Sequence, residues 1–129
     1  MVDNSQILKA FNDHFQEFVN DIHLVFPDND DIATVKTTIT QLRKANPRMI
    51  IMVFKEHVIE KYKNQIIDGN INFFIDKDYS RDIESTGNSK LILEKIDCLR
   101  EPVRNMSKED QKKVIKYLQN LNKLCDLYK

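Results

Sequence analysis

The sequence predicts an all-α fold, a compact single-domain bundle of five to six helices. Three observations carry that expectation. Apolar residues recur at three- and four-residue steps along most of the chain. Only two Gly and three Pro punctuate 129 residues, too few turn formers for a sheet built from hairpins. The strongest breaks, at Pro27, Asn46-Pro47 and Asp68-Gly69, fall between such stripes rather than inside them. The length suits one domain over residues 1–129, and 41% hydrophobic residues supply one core without disulfide or metal staples.

The first helix is expected from about Ser5, as N-cap, to Val25, with Ile7, Phe11, Phe15, Phe18, Ile22 and Val25 as its core stripe. Pro27 and the run Asp28-Asn29-Asp30-Asp31 end it. Asp30 or Asp31 then caps a second helix whose stripe is Ile32, Val35, Ile39 and Leu42. Asn46 as cap and Pro47 as first helical residue open a third helix reaching about Ile67. Its continuous apolar run, Met49 to Phe54, marks it as the central, most buried helix. Gly69 terminates it. A short helix follows over 71–79 with Ile71, Phe74 and Ile75 inward, and residues 80–89 (SRDIESTGNS) read as a mobile loop. A fifth helix spans about 90–100 with Ile92, Ile96, Leu99 and Val103 as stripe, ended or kinked by Pro102. Ser107-Lys108-Glu109-Asp110 resembles a capping box and starts a last helix to about Tyr128, carrying Val114, Tyr117 or Leu118, Leu121, Cys125 and Tyr128.

Composition narrows function. The formal net charge is zero, so no bulk polyanion is the expected partner. Cys98 and Cys125 both fall in amphipathic helical stretches and read as reduced core residues, which favours a reducing compartment. The N-terminus does not resemble a signal peptide, and the longest apolar run is too short to span a bilayer, so no membrane partner is expected.

Chemical motifs fail on inspection. Asp68-Gly69-Asn70-Ile71-Asn72 starts like a calcium loop, but Phe73 stands where the obligatory Gly belongs and Tyr79 where the bidentate Glu belongs. His14, His23 and His57 lack metal-ligand spacing, and no serine sits on a Gly elbow. No catalytic, metal or cofactor site is therefore expected.

Two polar or aromatic features stand out. Residues 1–31 are strongly acidic, whereas Arg43, Lys44 and Arg48, and later Lys112, Lys113 and Lys116, form basic clusters. These either contact phosphates as a basic face or balance the acidic first helix. Residues 71–79 hold three aromatics in nine positions, more than one helix face can bury. Phe73, Phe74 and Tyr79, with the acidic loop residues Asp28, Asp30 and Asp31, are accordingly the candidate partner-binding surface.

The blocks Phe26-Pro27-Asp28-Asn29, Ala45-Asn46-Pro47-Arg48, the run from Ile67 to Tyr79 and Tyr117-Leu118-Gln119-Asn120-Leu121 stand in a chain rich in Ile, Lys, Asn and Asp with three Ala. Together they resemble a family of small proteins of giant nucleocytoplasmic large DNA viruses, over nearly the whole chain. The resemblance implies life in the host cytoplasm, a virus factory or the virion, and carries over no catalytic residue. The resulting expectation is a non-enzymatic, cytoplasmic protein–protein interaction protein acting in assembly, transcription or host control. The alternative is a nucleic-acid-associated protein using the basic helical face. Homo-oligomers are expected if the Met49 to Phe54 face exceeds what one core can cover.

Overall fold

Each helix begins where a polar side chain satisfies its first free N–H groups or where a turn hands the chain over. The structure, a computed structural model, describes residues 3–76 and 88–128. Helix α1 covers Asn4–Val25, and its cap is Asp3, whose carboxylate accepts from the Gln6 N–H at 2.9 Å. Ser5, the expected cap, lies inside the first turn because Asp3 already occupies the capping position. Helix α2, Asp30–Ala45, is capped by Asn29, which accepts from the Ile32 N–H at 3.1 Å. Asp30 and Asp31 are thereby moved into the first turn, where their charges oppose the positive end of the helix dipole.

The expected unbroken third helix is instead three consecutive segments, α3 (Met49–Phe54), a π-helical turn (Lys55–Ile59) and α4 (Glu60–Ile67). Asn46 closes α2, its N–H donating to the Leu42 carbonyl, and Pro47 and Arg48 form a turn ahead of α3. The Pro47 carbonyl accepts from the Asn12 side chain at 3.0 Å, a tertiary bond that holds this turn against α1. In the π turn the Glu60 N–H reaches back five residues to the Lys55 carbonyl. That wider step lets Val58 and Ile59 both join the core below Val53 and Phe54. The backbone leaves helical geometry again at Tyr62 (φ −127°, ψ 21°).

Helix α4 closes in a Schellman motif: the Gly69 N–H donates to the Ile66 carbonyl and the Asn70 N–H to the Gln65 carbonyl. Gly69 has φ +74°, the conformation that this closure needs. Helix α5 is Asn72–Asp76, and the remaining positions of the expected 71–79 helix, residues 77–79, lie outside the described residues. So does the expected loop up to residue 87, whereas Asn88 and Ser89 already belong to α6, Asn88–Arg104. Pro102 sits inside α6 rather than ending it. Helix α7, Lys108–Leu127, starts at Ser107, whose hydroxyl accepts from the Asp110 N–H at 3.1 Å, as the capping-box spacing predicts.

Among the described residues the regular structure is all helical, and one apolar cluster runs through α1, α2, α3, the π turn, α6 and α7. Its centre is aromatic: Phe11, Phe15 and Phe54 meet with ring centroids 5.7–6.1 Å apart. Helix α1 lies between α2 and α7, touching both along its length. Residues 16, 20 and 23 of α1 look toward α2, while His14, Phe18 and Asp21 look toward α7. No described helix is long and apolar enough to cross a membrane.

Candidate partner-binding groove between the first and last helices

Helices α1 and α7 run antiparallel. The His14 and Phe18 rings both rest on Tyr117, with centroids 4.7 and 5.5 Å away, and Asp110 and Val114 lie beside the end of α1 at Leu24 and Val25. The two helices leave a groove of about 250 Å³. Its floor is Phe18, Ile22, Met106 and Val114, all buried. Its wall is Leu24, 77% exposed, and Val25, 41% exposed. Val25 thus departs from the core stripe expected of it, whereas Ile22 one turn earlier keeps its place in the core.

The lip of the groove is polar. The Tyr117 hydroxyl donates to the Asp21 carboxylate. Burial, reinforced by that hydrogen bond and by the charges of Asp21 and Glu17, pushes the Tyr117 phenol well above its ordinary range, so it stays a donor. Lys113 stands 3.9 Å from Asp110, one turn earlier on α7. Beyond Tyr117 lies a second hollow of about 270 Å³, which shares Asp21, Lys113 and Tyr117 and adds His14, Lys116 and Asn120. His14 approaches Glu17 through Nδ1 at 3.6 Å, while its Nε2 is buried without a hydrogen-bond partner.

Other hollows are more polar or more closely tied within the chain. One of about 430 Å³ lies between the α1–α2 connection and α6 and is edged by Asp31, Cys98 and Glu101. Arg100 is held there by Asp97 at 3.4 Å, and Arg104 donates to the Ile75 carbonyl at 2.8 Å. A third, of about 400 Å³, lies over the π turn, where Met52 is exposed among Lys55, Glu56 and Glu60. The groove between α1 and α7 pairs an apolar floor with two adjacent exposed aliphatic residues, Leu24 and Val25. No group of three His, Cys, Asp or Glu placed to hold a metal occurs among the described residues.

The structure distributes the expected site residues differently from the sequence reading. Phe74 is a correction: it is 1% exposed, packed in the core against α6, and not available to a partner. Ile75 beside it is also buried, and the Ile75 carbonyl accepts from Arg104 of α6. Phe73 belongs to α5, and Tyr79 lies outside the described residues. Asp28, Asp30 and Asp31 are exposed, and Asp31 edges the hollow beside α6 rather than the groove. Cys98 is a second correction, because it is exposed whereas Cys125 is buried, and both are free thiols.

The basic residues form two separate groups. Arg43 is tied to Asp13 at 2.6 Å and donates to Gln16, on the α2 side of α1. Lys44 and Arg48 are exposed close by in sequence. Lys112, Lys113 and Lys116 are exposed on α7, on the opposite flank of α1. Sequence reasoning missed the groove itself. Its one local sign was Leu24, an aliphatic residue off the stripe through Ile22 and Val25. Comparison with protein-family models, curated proteins and solved structures gives no match.

Proposed function

We propose that this chain is a non-enzymatic protein–protein interaction module that docks a partner in the groove between α1 and α7. One observation carries the reading: Leu24 and Val25 stand exposed beside a ready apolar floor. Covering a leucine of this kind contributes roughly 1.5–3 kcal/mol, enough for one anchor of a specific contact. The process served is assembly, transcription or host control, in the cytoplasmic viral setting that the sequence resemblance implies.

Affinity capture of the tagged chain from its native cell, with and without nuclease and in parallel with Leu24→Asp, tests this. A stoichiometric protein that survives nuclease and is lost with Leu24→Asp is the expected result. Capture unchanged by Leu24→Asp removes the groove as the docking surface. Capture that disappears with nuclease favours the nucleic-acid reading through Lys112, Lys113 and Lys116.

A further inference from the structure

We draw no further inference here: the strongest candidate, the exposed apolar face of Leu24 and Val25 at the end of α1, belongs to the groove already described, and nothing in the structure shows what covers it.

Discussion

Phe15 and Leu24 belong to the same helix, yet one is sealed in the aromatic centre and the other stands in water. They should respond oppositely to truncation. Phe15→Ala leaves a cavity among Phe11, Phe18 and Phe54 and is expected to cost about 3–5 kcal/mol in urea unfolding. Leu24→Asp is expected to stay within about 0.5 kcal/mol of the native chain, as surface substitutions do. A loss from Leu24→Asp comparable to that of Phe15→Ala would make the groove wall part of the core. Asp13 gives a pH test. Hydrogen bonds and charge from Lys9 and Arg43 hold its carboxyl below the ordinary range. A depressed acid contributes stability above its unfolded pKa and loses it as pH falls through the folded value. Asp13→Asn should therefore weaken the native chain at neutral pH and narrow the gap between the two below about pH 4, the unfolded carboxylate range. Urea midpoints across that range check it, and a constant difference would contradict it. The thiols divide in the same manner. Cys125 is buried and pushed up to about 12, while Cys98 is exposed though also raised by partial burial. A thiol reagent should label Cys98 in the native chain and reach Cys125 only on unfolding.

Among the elements, what could be read from sequence was what a few adjacent residues decide. Ser107 with Asp110 three places on specified a cap, and Gly69 after an apolar stripe specified a helix end; both are found as such. Each is separately measurable. Ser107→Ala should cost about 1 kcal/mol through the unsatisfied N–H groups of the first turn. Gly69→Ala should cost about 1–2 kcal/mol through its left-handed backbone rather than through crowding, since an added Cβ would meet only the Gln119 side chain at 3.8 Å. Chemical denaturation reads both, and a neutral Gly69→Ala would show that the closure of α4 relaxes at no cost. Caps with competing neighbours were harder: Asp3 wins over Ser5, and Asn29 over Asp30, by one or two residues that propensity does not separate. The π turn was not legible, because a continuous run from Met49 to Phe54 has no period from which a change of step could be seen. Phe74 was expected both inward on its helix and at a partner surface; its burial decides for the first, which a count of aromatics alone does not do.

For the whole molecule, sequence showed that charge is uneven but not on which side each group falls, since that depends on how distant helices pack. An all-helical fold with one core was legible from periodicity, whereas the groove was not, because it exists only where α1 and α7 meet. The same packing bears on nucleic acid. Arg43 belongs to the α2 side of α1, with Lys44 next to it in sequence and Arg48 in the turn ahead of α3, and Lys112, Lys113 and Lys116 are carried on α7, with the carboxylates of Asp13, Glu17 and Asp21 on α1. Arg43 is moreover already engaged by Asp13. A duplex laid against one cluster does not reach the other without crossing that acidic helix. Each neutralised phosphate contributes about 0.9 to the slope of log affinity against log salt. One face using all six cations would give a slope near about −5, while a single cluster of three gives no more than about −3. Titrating a short DNA duplex by fluorescence anisotropy over a salt series should therefore yield weak binding with the shallower slope. Replacing Lys112, Lys113 and Lys116 with Gln should remove most of it, and replacing Lys44 and Arg48 should leave it nearly unchanged. A slope near the steeper value, lost equally on neutralising either cluster, would mean that the clusters act as one surface and that the separation across α1 does not govern binding.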